Sequence, residues 1–268
     1  MEQVPQMKKI QVISLTKSFI ERRSRHSSFI PCIKNSRCLV LDNLNFEIED
    51  GMFTCFVGPS GCGKSTLLRI MAGFDTPSSG KVVIDGQQVQ GPGKKHIFVF
   101  QEDGLFPWMT VMENAAIGVD RKLNRQEQED EIREYIDMVG LEGFENHYPH
   151  ELSGGMRRRA EVARALITNP DILFMDEPFA ALDFVTRLQM REEMLNVHAM
   201  FDSTILFITH DIEEALQLGD QVIVLGERPA SVKADIPLPF SHPRDVMQGE
   251  LSDIRKEIYF LMGLHNAL

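Results

Sequence analysis

No apolar run in these 268 residues approaches the length of about 18 that a bilayer crossing needs. The chain is therefore not expected to span a membrane, and if it works at one, a partner must hold it there. Met1 to Lys9 is polar and charged and lacks the apolar segment of a secretory leader, so export is not expected either. Cysteine is scarce: Cys32, Cys38, Cys55 and Cys62. Cys55 falls in an apolar core run and Cys62 inside a glycine-rich loop, which speaks for free thiols in a reducing compartment rather than a disulfide framework. Cys32, Cys38 and the nearby His26 match no zinc-ligand spacing. Positive charge is in deficit, 28 Lys and Arg against 39 Asp and Glu for a net −11, which argues against a protein that coats nucleic acid. A local exception is Glu21 to Arg37, with Arg22, Arg23, Arg25, Lys34 and Arg37. It reads as an inserted surface loop, either simply solvated or in contact with a partner or anionic lipid. Internal repeats and low-complexity tracts are missing too.

What is present centres on Phe53 to Arg69. The apolar run Phe53, Cys55, Phe56, Val57 predicts a buried strand. Gly58, Pro59, Ser60, Gly61, Cys62 and Gly63 form a loop, and Lys64, Ser65 and Thr66 open an apolar-periodic helix through Leu67, Leu68, Ile70 and Met71. Glycines let backbone amides turn inward, and those amides together with the helix N-terminus make a phosphate pocket. In G-x-x-x-x-G-K-S, Lys64 is expected along the β- and γ-phosphates and Ser65 on Mg²⁺. The competing reading, a glycine-rich turn that binds nothing, fits poorly with a strand before the loop and a helix after it.

Along the rest of the chain, Ile10–Leu15, Leu44–Ile48, Lys81–Asp85 and His96–Phe100 predict strands, with Asp50-Gly51 and residues 76–80 as turns. Residues 110–145 are helical in pattern, with a charged amphipathic helix over Asn124–Met138. A further helix starts at Ser153-Gly154-Gly155 and runs to about Thr168. Ile172–Met175, Thr204–Thr209 and Gln221–Leu225 are apolar strands alternating with helices over Asp183–Ala199 and Asp211–Leu218. Helices between apolar strands imply an α/β fold with a parallel sheet. A helical subdomain, about 102–163, interrupts the alternation. Beyond about residue 227 come a proline-punctuated stretch and a C-terminal helix, Leu251–Met262.

Asp176 and Glu177 close the run Ile172-Leu173-Phe174-Met175. An unpaired carboxylate there costs several kcal/mol, which a cation would offset, and nucleotide phosphates bring Mg²⁺. Asp176 is therefore assigned to the Mg²⁺ shell, and Glu177, one residue on, to the attacking water. The competing reading is an exposed loop pair. His210 and Gln101 also follow strands, where open α/β sheets bind ligands. His210 is expected to donate to the γ-phosphate and orient Glu177. The Gln101 amide is expected at Mg²⁺ or water. Ser153, Gly154 and Gly155 at a helix start offer a second anion site, or an ordinary N-cap.

With these pieces in order, the sequence resembles the ATPase subunit of ABC transporters. The resemblance is carried by Phe19, GPSGCGKST at 58–66, Gln101, LSGGM at 152–156, ILFMDEP at 172–178, AALD at 180–183 and His210, over residues 10 to about 225. Segments 99–118, 207–216 and 228–245 are similar to the nitrate, sulfonate and taurine importer group. The resemblance implies a P-loop NTPase (RecA-like) core with an antiparallel β subdomain and the helical insertion, forming an ATPase domain over 1–226 and a short extension over 227–268. It implies Phe19 as the adenine-stacking aromatic, although the insertion after it departs from the family pattern. It implies ATP and Mg²⁺ as cofactors and a head-to-tail dimer, of two copies or with a paralogous ATPase. In that dimer Leu152, Ser153, Gly154, Gly155 and Met156 would face the partner's ATP, and Asp183 would lie at the seam. Met156 stands where the family often has Gln. The implied partners are membrane permease subunits, met through Gln101–Trp108, and indirectly an extracytoplasmic solute-binding protein, with no nucleic acid. The implied location is peripheral, on the cytoplasmic face of the membrane. Phe106 and Trp108 have a competing reading as core of the helical subdomain.

Other functions fit less well. An exporter or lipid-transport ATPase shares the fold. A soluble repair or translation ATPase of this family typically carries coiled-coil insertions or tandem ATPase units, and neither is seen here. A phosphate-loop kinase or GTPase leaves LSGG and His210 without a role, and no N-K-x-D run occurs.

Overall fold

The computed structural model describes residues 8–20, 37–101, 104–119, 122–180, 182–200 and 203–264. The expected basic loop over 21–36, with His26 and Cys32, lies outside them, as do Glu102, Asp103 and Ala181.

The chain opens with two long strands, β1 (Lys8–Ile20) and β2 (Arg37–Glu49), then β3 (Phe53–Val57) and α1 (Lys64–Met71). β4 (Ser79–Ile84) and the two-residue β5 (Gln87–Gln88) join the first pair in an antiparallel sheet of order β2-β1-β4-β5. β1 and β2 run well beyond the predicted Ile10–Leu15 and Leu44–Ile48. Their alternation is broken by register shifts near Ser14 and Asn43, both at φ 47°. Such bulges hide a strand from a period-2 reading. Arg37, assigned to the loop, starts β2.

β6 (His96–Val99) precedes the helical insertion: α2 (Val111–Ala116), α3 (Arg125–Met138) and α4 (Gly154–Leu166). The helical pattern over 110–145 thus divides into two helices. Each begins with a capping box, Thr110 with Glu113 and Asn124 with Glu127. The remaining elements are β7 (Ile172–Asp176), α5 (Phe184–Met200), β8 (Thr204–Ile208), α6 (Ile212–Leu218), β9 (Gln221–Leu225), β10 (Val232–Pro237) and α7 (Gly249–Leu261).

The second sheet has the order β10-β9-β3-β8-β7-β6, parallel except for β10. Every residue of β3, β7, β8 and β9 is buried, as expected of strands covered on both faces. Alternate side chains divide between two cores. Phe53, Cys55, Met175 and Phe207 meet the helices of the insertion together with α5, α6 and α7. Phe56, Phe174, Leu206 and Ile208 meet α1 and the antiparallel sheet. Among the described residues no helix is long and apolar enough to cross a membrane.

β10 was not foreseen. Its prolines demote it in a sequence reading, but an edge strand tolerates a proline, and Pro237 ends the pairing opposite Gln221. The segment after β10 is bound by one buried guanidinium. Arg244 donates to Phe240 O at 2.6 and 3.0 Å, to Leu238 O at 3.2 Å and to Leu216 O at 3.1 Å, and also to Gly219 O. Asp220 Oδ1 lies 3.7 Å away. Arg244 thereby closes the C-terminal end of α6, where carbonyls lack helical partners and a cation is favoured. Arg244→Met is expected to lower unfolding stability by about 3 kcal/mol, since it orphans several buried acceptors and one carboxylate. Urea denaturation of the full chain measures this.

Candidate functional site

Four neighbouring strands of the parallel sheet stop at one edge, and each carries an expected residue there. In spatial order they are β3, followed by the loop 58–63; β8, followed by Thr209 and His210; β7, ending at Asp176 and Glu177; and β6, followed by Phe100 and Gln101.

The loop's glycines are demanded by its surroundings. A Cβ on Gly58 would lie 2.8 Å from Leu225 O, and one on Gly63, at φ 121°, would lie 2.8 Å from both Val40 Cγ1 and Leu41 Cδ2. The antiparallel sheet thus presses on the loop through β2. Cys62 packs into that core, and burial pushes its thiol above the ordinary range, which makes it a poor nucleophile. Ser60 and Gly61 are exposed, while Pro59, Ser65 and Thr66 are half-buried. Lys64 is buried and donates to Gly58 O at 2.8 Å and Pro59 O at 3.2 Å. Among the described residues no carboxylate pairs with it. A buried ammonium resting on carbonyls suits an incoming anion.

Ser65 Oγ donates to Asp176 Oδ1 at 3.0 Å, joining the first turn of α1 to the end of β7. Burial pushes the Asp176 carboxyl above the usual range, while the Ser65 hydrogen bond acts the other way and the charge of Glu177 adds to the rise. A buried carboxylate beside a hydroxyl fits a hard divalent cation. Among the described residues no three His, Cys, Asp or Glu side chains could hold a metal unaided. Ser65 and Asp176 are the residues that could hold one, together with oxygens of a bound phosphate.

Glu177 has φ 48°, a left-handed conformation that costs a non-glycine residue about 1–3 kcal/mol. Its N–H donates to Ile208 O at 3.1 Å, which turns the carboxylate toward β8. There Oε2 lies 3.6 Å from His210 Nδ1. The turn carrying His210 is braced from behind, in a way the sequence did not suggest. Arg191 of α5 donates to Asp211 Oδ2 at 2.8 Å, Glu214 Oε1 at 3.3 Å and Gln217 Oε1 at 2.9 Å. Thr209 Oγ1 donates to Glu214 and accepts from Asp211 N at 3.0 Å. Burial raises the Glu214 carboxyl despite these donors.

The 152–156 segment stands elsewhere. Ser153 caps α4, its exposed Oγ accepting from Met156 N at 3.2 Å. Leu152 is buried, and Met156 packs half-buried on the core. Gly155 faces Leu182, whose Cδ2 would be 3.2 Å from an added Cβ. The next residue, Asp183, is exposed and caps α5. Its Oδ1 accepts from Thr186 N at 3.0 Å and its Oδ2 from Thr186 Oγ1 at 2.6 Å, which holds its carboxyl below the ordinary range. Among the described residues no hydrogen bond or ion pair links Ser153–Met156 to the phosphate loop.

Phe19 projects from β1, 41% exposed, with Lys17 Nζ 4.8 Å from its ring centre. It pairs with Cys38, two residues before the Val40 that covers Gly63. Trp108 is 68% exposed, which rules out its reading as subdomain core, and its ring lies 5.3 Å from that of Phe106. Asn114 of α2 makes this possible. It accepts from Phe106 N at 2.8 Å and donates to the carbonyls of Phe106, Met109 and Thr110 at 3.0–3.2 Å. The loop is pinned from inside while Trp108 points out.

Residues 41–180 match the family model described as ABC transporter. The aliphatic sulfonates import ATP-binding protein SsuB of Bacillus cereus is 43% identical over 82% of this chain and 86% of its own. The nitrate import ATP-binding protein NrtD of Synechocystis is 42% identical over 85% of this chain and 86% of its own. Among solved structures, a dimeric ATP-binding cassette in a post-hydrolysis state, bound to ADP and Pi, superposes with a TM-score of 0.72 at 29% identity, covering 87% of this chain and all of that one. The phosphate loop, the acidic end of β7 and the sheet order define a P-loop ATPase. The chain belongs to the ABC transporter family as an ATP-binding, ATP-hydrolysing subunit.

Gly63→Ala is expected to weaken ATP binding at least tenfold, because a Cβ at φ 121° would collide with Val40 and Leu41. Titration with a fluorescent ATP analogue measures it.

Proposed function

We propose that this chain is the energy-coupling ATPase of an importer for a small anion of the nitrate, sulfonate or taurine type. It works as a peripheral subunit on the cytoplasmic face of the membrane, paired with a second copy or a paralogue and docked on permease subunits. The observation that supports catalysis most directly is the Ser65–Asp176 contact at 3.0 Å, with Glu177 and His210 beside it. The anion class is supported by relatives that carry sulfonate and nitrate import names.

In this reading the amides of residues 58–66 and the Lys64 ammonium hold the β- and γ-phosphates. Phe19 gives the adenine a face to stack on. Mg²⁺, when bound, neutralises phosphate charge, and Ser65 and Asp176 are the residues that would hold it, with Gln101 at its edge. Glu177 orients a water in line with the γ-phosphorus and takes its proton as the new P–O bond forms. The bond to the β-phosphate oxygen breaks, and ADP leaves with the electron pair. His210 donates to the γ-phosphate and fixes the Glu177 carboxylate. Little covalent chemistry falls to the protein; placement and charge do the rest. Ser153, Gly154 and Gly155 close over the ATP of the paired subunit, with Asp183 at the seam. The solved relative described as dimeric supports that pairing.

Coupling to a permease uses the patch around Trp108 and Phe106. An exposed aromatic pair on a pinned loop suits a short helix of a membrane partner.

Two outcomes are expected. Glu177→Gln should bind ATP as wild type does, form an ATP-dependent dimer in size-exclusion chromatography, and lose roughly 10²–10³ in kcat. Normal steady-state turnover in that variant removes Glu177 from the mechanism. Trp108→Ala should leave ATP affinity unchanged but reduce capture of the permease from solubilised membranes, and equal capture refutes the docking role. The solute itself follows from co-purifying the membrane complex with its binding protein and identifying the bound ligand.

A further inference from the structure

Arg158 and Glu161 lie one turn apart on α4, their side chains 6% and 3% exposed, with Arg158 Nη1 2.5 Å from Glu161 Oε2. A buried pair of this kind is expensive to desolvate and persists only where further hydrogen bonds complete it. Here those bonds reach the catalytic edge. Arg158 Nε donates to Pro178 O at 2.7 Å, and its Nη2 lies 3.4 Å from Asp176 O, so one guanidinium holds the carbonyls of the two residues that flank Glu177. Arg158 Nη1 also donates to Phe100 O, immediately before Gln101. Glu161 Oε1 accepts from Gly104 N, and Arg164 Nη1 donates to Gly104 O at 2.8 Å. Helix α4 therefore grips the 100–104 segment at both ends and the Asp176–Pro178 segment around Glu177. Its N-terminus is Ser153-Gly154.

We infer that the Arg158–Glu161 pair is a positioning device for catalysis: it ties the helix that caps the partner's ATP to the backbone that aims Glu177 and Gln101. The strained φ of Glu177 gives the tie something to hold, since a left-handed glutamate relaxes unless its neighbours are fixed. Neither residue touches a phosphate. The inference rests on the roles given above to Glu177 and Gln101.

The test uses the full-length chain and steady-state ATP hydrolysis, with kcat and KM determined separately. Arg158→Met removes the donors but keeps the length. The double variant Arg158→Met with Glu161→Leu removes both charges, so no unpaired ion is left buried and folding is favoured. Arg158→Lys restores part of the carbonyl binding. In the double variant, kcat should fall at least tenfold while KM and ATP affinity stay within twofold. Arg158→Lys should recover part of the lost kcat. A double variant that binds ATP and turns over like wild type overturns the inference. So does a parallel loss of ATP affinity and kcat, or a double variant that does not fold, since either makes the pair a packing feature. Glu177→Gln, assayed alongside, separates the two readings. If it retains turnover, the role of Glu177 fails; if it is inactive and the double variant is not impaired, only the positioning role fails.

Discussion

One hydrogen bond spans the middle of the catalytic edge: Ser65 Oγ to Asp176 Oδ1, 3.0 Å, reaching from the first turn of α1 past β8 to the end of β7. It is possible only because the parallel strands are in register, so that Asp176 ends β7 beside Ile208 of β8. It also sets the electrostatics. Asp176 is buried with its carboxyl shifted upward by desolvation, and Lys64 is buried on carbonyls. A positive pole and a negative pole are thus built at one edge with no direct neutralisation between them. Both gain most when a phosphate and a cation arrive together, because the low local dielectric that makes isolated burial costly strengthens every contact with the incoming charges.

The second anion site lies at the start of α4, with Gly155 against Leu182 and no described bond to the phosphate loop. Within one chain this segment packs on the start of α5 and not on the phosphate loop. A helix N-terminus with an exposed serine has affinity for an anion, and the nearest source of one in the proposed dimer is the other subunit's nucleotide. The cap Asp183 makes with Thr186 keeps the neighbouring turn ordered before any partner arrives. Ordering the turn beforehand reduces what association must supply.

How much could be read from sequence depended on whether a residue's reason was local. The phosphate loop, the apolar strands and the strand-end residues Asp176, Glu177, Gln101 and His210 follow from short-range patterns, and the structure places them on one edge. Features with non-local causes stayed hidden. Bulges at Ser14 and Asn43 concealed the length of β1 and β2. Pro237 disguised an edge strand whose pairing partner is read only from the sheet. Arg158, Arg191 and Arg244 each have a buried side chain that fixes backbone or carboxylate groups from other elements, partners that no local pattern reveals. A possible signal for the first was an Arg and a Glu three residues apart on the apolar side of α4, where a solvated pair has no place.

Two of these arginines, Arg191 and Arg158, also brace this edge. Glu177 and His210 stand in the turns after β7 and β8, and Glu177 is held in a left-handed conformation it would otherwise leave. Arg191 fixes the turn after β8 from α5, while Arg158 fixes the turns after β6 and β7 from α4. Guanidinium suits the task better than an ammonium, because its planar fork satisfies several carbonyls in one geometry. Anchoring the turns to helices rather than to the sheet leaves the sheet free to bear the nucleotide's charge. Through the carbonyls of Phe100, Asp176 and Pro178, a displacement of α4 relative to the sheet would be felt at Gln101 and Glu177.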